Sequence, residues 1–598
     1  MAETDSEAAP PIGEVETPVP SLEELQHWTW VMGRAQQLMM EHLAGQVSEA
    51  AGKAVDPAAF ASAWPASRWF ADPAKVAQAQ VDLWTEGLAI WQRALGGYGG
   101  RPDLEEKADR DKRFAAKEWR EHPLFDMIRQ TYLLVSERML GTVDAIEGLD
   151  DRSREKLRFM TRAFIDAMSP SNFALTNPRV IERAIETRGE SLLKGLENML
   201  RDLGKGQLTH VEPGAYEVGV NIAVTPGKVV KQTRLYQLIQ YSPTTDKVLE
   251  IPLVIFPPWI NRYYILDLNP KKSFIRWAVE QGLTVFVVSW KSADESLKDV
   301  GLGDYAQAQR EVIDAIREAL DVEKVHAIGY CVAGTALAAT LALMAARGEA
   351  DKVATATFFT AQVDFSEAGD LSFFLGDEQM ELIRQLSAEK GYLDGRYMAA
   401  TFNLLRGRDL IWNYVTNHYL LGEDYPQFDL LHWNADTTNL PAGWHQAYLQ
   451  QLYRENKLVQ PGAIVIDGTP IDLREVTVPT YVQSGREDHI APPQSVWKIT
   501  RHFRGPVRFV LAGSGHIAGV VNPPEAQKYQ YWINEAKVDT LDAFIAGATE
   551  HKGSWWPDWI GWIRSHAHRT VPAKGARIPG KGLLKALEDA PGSYVRAR

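Results

Sequence analysis

The feature that most constrains this chain is the short segment 329–334, Gly-Tyr-Cys-Val-Ala-Gly, in which one nucleophilic residue stands among small ones. Residues 325–328 before it are largely apolar and β-branched, which predicts a buried strand. Residues 335–344 after it are rich in Ala and Leu, which predicts a helix. The chain must therefore turn sharply at Cys331. A strand, a sharp turn and a helix form the context of a nucleophile elbow.

Cys331 could instead be a buried cysteine that packs beside a glycine. It is the only cysteine among 598 residues, so an intrachain disulfide and a multi-cysteine zinc site are excluded. A single thiol placed at an elbow, where the dipole of the following helix stabilises a thiolate, favours a reactive role. The absence of disulfides suits a reducing cytoplasm.

Length and composition predict a soluble protein of two or more domains. Of the residues, 45% are hydrophobic and 24% are charged, and the net charge of −13 argues against a nucleic-acid partner. Residues 1–20 have acidic residues and prolines but no basic residues, which predicts a disordered tail rather than a signal peptide. The most apolar run, residues 336–346, is too short to span a membrane.

Residues 21–206 predict a helical domain. A capping pattern begins at Ser21, and a further helix is predicted from Pro123. Another is predicted to begin at Asn177-Pro178 and to run to the glycines at 204 and 206.

From residue 207 to 598, strands alternate with helices, which predicts an α/β domain with parallel strands joined by crossovers. The predicted strands are 248–256, 284–290, 325–328, 353–359, 480–483 and 507–511. An aromatic-rich insertion at about 363–462 predicts a cap over the active edge of the sheet. A Gly-x-Gly-x-x-Ala match at 301–306 does not directly follow a strand, so no cofactor site is assigned to it. No metal site is expected either.

An elbow nucleophile needs a base and a group that orients the base. In α/β-hydrolase folds the order is nucleophile, acid, histidine. Asp488, after the strand at 480–483, is the predicted acid, and His516, after the strand at 507–511, is the predicted base. His489 is the alternative base, but neighbours on an extended chain point in opposite directions, so it is poorly placed to bond Asp488. Glu487 is the alternative acid.

An oxyanion hole needs two backbone donors. The first is expected from the N–H of Val332, which follows the nucleophile. The second is expected from the loop at 257–261, where the two prolines cannot donate. Trp259, Ile260 and Asn261 remain as candidates, and Ile260 is the chosen one.

A cysteine elbow forms a thioester, which stays activated, whereas a serine elbow forms an ester. Transfer from an incoming thioester such as an acyl-CoA would be nearly thermoneutral, and a hydroxyl could then attack to form a stable ester. An aromatic cap would exclude water from such a site. These residues favour acyl transfer onto an alcohol over hydrolysis.

The sequence resembles the class I polyhydroxyalkanoate (poly(3-hydroxybutyrate)) synthases, and the resemblance covers most of the chain beyond the acidic tail. The segments that carry it are 111–114 with Trp119, 257–268, 329–335, 410–414, 430–436, 485–490, 515–524 and 553–559. The sequence departs from the family pattern at two positions. Many relatives have glycine where Ala333 stands, and the family loop often has cysteine where Trp259 stands.

The resemblance implies an α/β-hydrolase fold and an acyltransferase that polymerises short-chain (R)-3-hydroxyacyl-CoA with release of CoA. CoA enters as substrate, and no cofactor is implied. Cys331 would carry the acyl chain and His516 would be its base, while Asp488 would either hold His516 or act on the substrate hydroxyl. The second role is the one expected for Asp488, because the thiol is acidic enough to need little help from a third residue. The family also implies a homodimer formed partly through the cap, and a cytoplasmic location at polymer granules and their associated proteins.

Two other classes of protein remain open at this point. A thioesterase, esterase or depolymerase would share the fold and the catalytic residues. A granule-coating protein would explain an amphipathic helical domain, but it would not need Cys331, Asp488 and His516 in this order.

Overall fold

The computed structural model describes residues 111–597 and, before them, Arg34 alone. The predicted tail at 1–20, the predicted capping pattern at Ser21 and the rest of the first 110 residues, Arg34 apart, lie outside the described residues. The described chain groups into two compact units, residues 111–208 with 411–424 and residues 209–410 with 425–597. The segment 411–424, which lies inside the predicted cap, therefore belongs to the helical unit.

The first unit is helical. Its helices are Glu118–Glu121, Pro123–Asp144, Asp151–Ala167, Pro178–Glu186 and Glu190–Lys205. The predicted start at Asn177 is confirmed, because the Asn177 side chain accepts a hydrogen bond from the Arg179 N–H at 3.1 Å. The prediction of one continuous helix from there to residue 204 is wrong. Arg188 and Gly189 have φ of 51° and 87°, which a right-handed helix cannot contain.

Helix Glu190–Lys205 packs closely on the segment 411–424. A Cβ at Gly195 would lie 2.0 Å from the carbonyl oxygen of Tyr419, so only glycine allows this approach. The Tyr419 hydroxyl donates to Asp202 on the same helix at 2.6 Å. These contacts explain why a segment distant in sequence groups with the helical unit.

The second unit is built on an 11-stranded sheet in the order β15-β14-β13-β12-β7-β6-β4-β5-β2-β1-β17. The strands of the described chain are β1 (Gly227–Gln232), β2 (Tyr236–Tyr241), β3 (Lys247–Leu249), β4 (Leu253–Phe256), β5 (Val285–Trp290), β6 (Val325–Tyr330), β7 (Val353–Phe359), β8 (Tyr392–Leu393), β9 (Leu440–Pro441), β10 (Val465–Ile466), β11 (Thr469–Pro470), β12 (Thr480–Gly485), β13 (Val507–Ala512), β14 (Gln530–Ile533), β15 (Thr549–Lys552), β16 (Thr570–Pro572) and β17 (Glu588–Asp589). The predicted parallel arrangement is confirmed for β13, β12, β7, β6, β4 and β5, and antiparallel strands extend both sides.

The predicted single strand 248–256 is wrong. It forms two strands in two sheets: β3 pairs with β16, and β4 pairs with β5 and β6. Pro252 lies between them and cannot donate to a ladder, although its carbonyl still accepts the His326 N–H at 2.8 Å. Both strands are largely buried, so their apolar pattern does not show the break.

Helices cover both faces of the sheet. Along β4, Val254 and Phe256 belong to one apolar cluster, and Leu253 and Ile255 belong to the other. The helices of this unit are Phe274–Glu280, Leu302–Leu320, Val332–Ala346, Asp377–Ala388, Gly395–Leu405, Asp429–Ala435, Ala442–Ala447, Pro493–Trp497, Ile499–His502, Leu541–Gly547 and Trp556–His566. The result is a layered α/β/α unit with a core on each side of the sheet. Within the described part of the chain, no helix is both long and apolar enough to cross a membrane.

The order of the strands reverses at β4. The chain passes from β4 to its neighbour β5 and then returns to β6 on the other side of β4. The loops that leave β4 and β6 therefore meet at one edge, where open α/β sheets place their ligands. Between β7 and β12 lies a long insertion, defined here as residues 360–410 and 425–479, which includes the π-helical segment Tyr448–Arg454.

Candidate active site

Cys331 lies at the sharp turn between β6 and helix Val332–Ala346. Its φ of 52° and ψ of −127° are unfavourable for any residue other than glycine. The backbone around it is held firmly: the Cys331 N–H donates to the Phe359 carbonyl at 2.9 Å, and the Cys331 carbonyl accepts from Gly334 at 2.9 Å and Thr335 at 3.1 Å. The strained conformation is thus fixed by its surroundings, and the predicted strand–turn–helix context is confirmed.

The elbow requires its two glycines for lack of space. A Cβ at Gly329 would lie 2.5 Å from the Cα of Gly334, and one at Gly334 would lie 2.4 Å from the Cβ of Ala361. Ala333, in contrast, has room for its side chain. Its methyl group is buried in the apolar cluster, and its carbonyl accepts a hydrogen bond from Gln309 Nε2 at 3.0 Å. The alanine therefore fits the turn without displacing a group of the site.

The structure brings Asp488 and His516 together. Asp488 Oδ2 lies 2.7 Å from His516 Nδ1, and Oδ1 accepts the N–H groups of Ile490 and Ala491, each at 2.9 Å. The Asp488 side chain is 0% exposed, so its orientation is set by these bonds. With Nδ1 bonded to Asp488, His516 Nε2 is the nitrogen left to interact with Cys331.

The charges around His516 favour its protonated form. Burial lowers the pKa of His516, but the negative charges of Asp488 and of a Cys331 thiolate, and hydrogen bonds to both, outweigh burial and raise that pKa well above its usual range. The Tyr330 hydroxyl donates to the His516 carbonyl at 3.2 Å, which ties the strand before the nucleophile to the histidine loop. The arrangement can hold an imidazolium beside a thiolate.

The two alternative residues are placed differently. The Asp488 carboxylate bonds to His516 and to two backbone groups, and no bond from His489 to it is present among the described residues. Burial lowers the pKa of His489, and this effect together with the positive charge of Arg406 outweighs the opposing negative charge of Asp488. Glu487 is exposed, whereas Asp488 is buried. Both alternatives line the cavity described below without joining the Asp488–His516 pair.

Two segments of the cavity wall could supply backbone donors for an oxyanion on Cys331: the start of the helix after it and the loop after β4. Val332 is the first residue of its helix, so its N–H has no intrahelical partner. In the loop after β4, Thr438 Oγ1 lies 2.7 Å from the carbonyl oxygen of Trp259 and 2.6 Å from that of Ile260, so its single proton is shared between them. Because carbonyl and N–H point in opposite directions across a trans peptide, the N–H groups of Ile260 and Asn261 point away from Thr438. The geometry leaves both residues as candidates for the second donor.

The Trp259 side chain turns away from the site. Its ring stacks on Tyr305 with centroids 3.7 Å apart and planes 5° apart. Its neighbours Pro258, Ile260 and Asn261 line the cavity, whereas Trp259 does not. The side chain at this position therefore supports the loop from behind.

A buried arginine fastens the same loop to the last described residues. Arg262 donates to the carbonyls of Tyr594 at 3.2 Å and Ala597 at 2.6 Å, and its Nε lies 3.5 Å from Asp436 Oδ1. The Arg262 carbonyl in turn accepts from Trp433 Nε1 at 2.7 Å. Sequence reasoning missed this support, because its partners are mostly backbone carbonyls that carry no signal in the residue pattern.

A cavity of about 720 Å³ opens at this edge of the sheet. Cys331 and His516 are on its wall, while the buried Asp488 is not among the lining residues. Apolar side chains of the insertion, including Leu386, Leu405 and Leu449, make up much of the rest. This volume and lining are typical of sites for small organic ligands. In the part of the chain that the structure describes, no group of His, Cys, Asp and Glu side chains could hold a metal ion.

Comparison with known proteins identifies the family. Residues 110–278 match the N-terminal region of poly-beta-hydroxybutyrate polymerase (PhaC), and residues 252–523 match the alpha/beta hydrolase fold. The poly(3-hydroxyalkanoate) polymerase of Methylorubrum extorquens is 45% identical over 541 residues, which cover 89% of each chain. The PhaC subunit of Rhizobium meliloti is 44% identical over 538 residues, covering 89% of this chain and 87% of the relative. That of Cupriavidus necator is 40% identical over 540 residues, covering 88% and 89%.

The match to the hydrolase fold and the mixed central sheet confirm the predicted α/β-hydrolase fold. This chain is 44% identical to the Rhizobium meliloti protein and 45% identical to the Methylorubrum extorquens protein, and each match covers 87–89% of the relative. The chain belongs to the poly(3-hydroxyalkanoate) polymerase family.

Proposed function

We propose that this enzyme polymerises (R)-3-hydroxyacyl-CoA, chiefly 3-hydroxybutyryl-CoA, into a polyester with release of CoA, through a thioester on Cys331. The observation that carries the proposal is the position of the chain's single thiol. It stands at a strained elbow, on the wall of the cavity that also exposes His516, whose ring is held by Asp488 at 2.7 Å. The names of the relatives support polymerisation, and the preference for short chains rests on the resemblance to class I enzymes.

In the first step, the Cys331 thiolate attacks the carbonyl carbon of the acyl-CoA. The new carbon–sulfur bond forms as negative charge develops on the carbonyl oxygen, which the N–H of Val332 and of Ile260 or Asn261 would stabilise. The bond to CoA then breaks, and the His516 imidazolium gives its proton to the leaving CoA thiolate. The products are an acyl-Cys331 thioester and free CoA.

In the second step, the 3-hydroxyl of another 3-hydroxyacyl-CoA attacks the thioester on Cys331. Neutral His516 takes the hydroxyl proton as the carbon–oxygen bond forms and the bond to Cys331 sulfur breaks. The elongated chain, still on CoA, can then acylate Cys331 again. The predominantly apolar cavity limits water, which would otherwise hydrolyse the thioester.

Asp488 has two possible roles in this scheme. Its Oδ2 bonds to His516, its Oδ1 accepts two backbone N–H groups, and its side chain is 0% exposed. A carboxylate with both oxygens occupied and no exposed surface favours the orientation of His516 over contact with the substrate hydroxyl. We therefore propose the orienting role for Asp488, in place of the expected action on the substrate hydroxyl.

Assembly and location belong to the same proposal. We infer a homodimer that forms partly through the insertion, at the surface of a polymer granule. Apolar side chains of the insertion are exposed, among them Leu382 at 47%, Tyr397 at 44% and Phe428 at 41%. Tyr397 and Phe428 also line the cavity, so an apolar surface continues from the cavity outward. Sedimentation with and without a substrate analogue tests the dimer, and a fully active strict monomer would contradict it.

The function is tested by following CoA and product from the purified full-length enzyme. Polymer together with CoA supports the proposal; CoA with free acid indicates a thioesterase; no CoA indicates a coat protein. A panel of acyl-CoAs from 3-hydroxybutyryl to 3-hydroxyoctanoyl, followed by analysis of the monomers in the polymer, tests the preference for short chains.

A further inference from the structure

A patch of four polar side chains lies in the largely apolar wall of the cavity. Its members are Thr360, Gln362, Tyr448 and Tyr453, and all four line the cavity together with Cys331. Neither the elbow nor the Asp488–His516 pair uses these groups. A buried polar group that has no partner within the protein is costly, and a ligand in the cavity can supply the missing partner.

The two tyrosines are brought together by a rare element. They stand at positions i and i+5 of the π-helical segment Tyr448–Arg454. In an α-helix, residues five apart would point about 140° away from each other. The wider π turn aligns i with i+5, and the two rings meet edge to face with centroids 5.3 Å apart. Isolated π-helical turns occur frequently at functional sites.

The hydroxyls are held by a second layer of contacts. Gln362 Nε2 donates to the Tyr453 hydroxyl at 3.3 Å, and Ser495 Oγ lies 2.9 Å from Gln362 Oε1. Tyr448 stacks on Trp444 with ring centroids 4.8 Å apart. The patch is therefore organised before any ligand enters.

One O–H group of the tyrosine pair is free to donate a hydrogen bond to a ligand. Burial, above all, raises the pKa of Tyr448 well above 10, and it also raises that of Tyr453, so both hydroxyls keep their protons. At most one of the two tyrosine protons is engaged between the two hydroxyls, because only one of a pair of hydroxyls can donate to the other. Gln362 supplies its own proton in its contact with Tyr453. One O–H group therefore remains for a ligand acceptor.

Thr360 adds a second group that needs a partner. It is 0% exposed, and its Oγ1 has no hydrogen-bond partner among the described residues. Its φ of 42° is unusual for a β-branched residue. An unpaired hydroxyl on a strained backbone at the cavity wall is an observation independent of the tyrosine pair.

We propose that Thr360, Gln362, Tyr448 and Tyr453 form a recognition subsite for the oxygen on C3 of the acyl group held by Cys331. That oxygen is a hydroxyl in the first monomer and an ester oxygen in the growing chain, and both accept a hydrogen bond. The inference rests on the proposed function, and it adds a reason for the enzyme to select hydroxyacyl over plain acyl groups. A deoxy acyl group would fit the apolar wall but would leave the buried hydroxyls unpaired.

The test is a comparison of 3-hydroxybutyryl-CoA with butyryl-CoA, which differ only in the C3 oxygen. Rapid-quench measurement of the first CoA released per active site gives the acylation rate for each. The wild type should favour the hydroxy substrate, and Tyr448→Phe and Tyr453→Phe should each lower this ratio about tenfold, chiefly through the hydroxy substrate. Tyr236→Phe is the matched control, because Tyr236 is 1% exposed, its hydroxyl has no partner among the described residues, and it does not line the cavity.

The outcomes separate the two proposals. A wild-type ratio near one, with CoA release intact, would overturn the subsite alone, whether or not the variants fold. An equal loss for both substrates in the two tyrosine variants, or an unchanged ratio, would also overturn it. If the wild type released no CoA from either substrate, the proposed function would fail and the subsite with it.

Discussion

The edge of the sheet and the insertion contribute to the same cavity but are built in different ways. β6 and β12, which lead to Cys331 and toward Asp488, are buried along their whole length. The insertion consists of short helices and a π-helical segment, and large apolar side chains such as Leu382 remain exposed on it. The groups proposed to do the chemistry thus stand on the rigid region, whereas most of the cavity wall belongs to the irregular one. We therefore expect that substitutions at the sheet edge change the reactivity of the enzyme, whereas substitutions in the insertion change its selectivity for substrates.

The largest effect is expected for the nucleophile on the sheet edge. Cys331→Ala should abolish acylation while the fold is retained, because no other thiol exists in the chain. Mass spectrometry after brief exposure to substrate measures the adduct, and circular dichroism checks the fold. Cys331→Ser should be severely slowed, since a hydroxyl is far less ionised than a thiol. An acyl adduct on the alanine variant would refute the assignment.

The next effect concerns the base and its partner. If Asp488 orients His516, both His516→Ala and Asp488→Asn should lose the initial burst of CoA, by a factor on the order of 10²–10⁴. Rapid-quench measurement of CoA per active site gives the burst. An Asp488→Asn enzyme that releases one full burst and then stalls would show instead that the carboxylate acts on the substrate hydroxyl.

The sheet edge could be predicted from the sequence because its signals are local. A short apolar strand, a turn of small residues around Cys331 and a helix specify an elbow, and the glycines before His516 mark its loop. The same pattern could not show that residues 248–256 split between two sheets, because both strands are buried and apolar.

The insertion could be predicted only in outline, from its length and its aromatic residues. Tyr448 and Tyr453 have the wrong spacing for one face of an α-helix, so their pairing follows only from the π turn. The contacts of Arg262 could not be predicted either, because most of its partners are backbone carbonyls far away in the sequence. Long-range backbone contacts of this kind leave no periodic signal in a single sequence.

A smaller effect is expected where the two regions are joined. Arg262→Gln should lower kcat about tenfold with little change in KM, because the loop that offers the second oxyanion donor would lose its fastening while the cavity wall stays in place. Steady-state kinetics measures both constants. Because the buried Asp436 would lose its cationic partner and keep neutral ones such as the Tyr264 hydroxyl, the variant should also be less stable.

A matched variant separates the loss of stability from the loss of rate. Arg577 is also buried, and it donates to the Glu250 carbonyl at 2.7 Å, but it does not line the cavity. Arg577→Gln should therefore lower the melting temperature and leave kcat nearly unchanged. Equal losses of kcat in the two variants would show that Arg262 supports the fold in general and not the loop.

The smallest effect compares two buried histidines, one in each region. Burial lowers the pKa of His326, on β6, to about 3 and that of His445, in the helix Ala442–Ala447 of the insertion, to about 4. Both are neutral in the folded and opened states above pH 6.5. As the pH falls below 6.5, an exposed histidine in the opened state binds a proton, whereas the buried one in the folded state does not. The free energy of opening therefore falls by up to about 1.4 kcal/mol per pH unit for each histidine exposed, until the pH reaches the pKa of the folded state.

The two regions should therefore respond to acid with different slopes. Of these two histidines, local opening of the insertion exposes only His445, whereas global unfolding exposes both. Global unfolding also exposes His489, whose lowered pKa adds to the effect, and His516, whose raised pKa opposes it. Amide hydrogen exchange is measured from pH 6.5 to 5 and corrected for the intrinsic exchange rates. Protection of the helix Ala442–Ala447 should fall with pH at the slope expected for the uptake of one proton, and protection of β6 should fall more steeply. His445→Gln should abolish the slope in the insertion and leave the contribution of His326 to β6. Equal slopes in the wild type would mean that the insertion opens only when the sheet unfolds, and the division between a rigid edge and a separable wall would then be wrong.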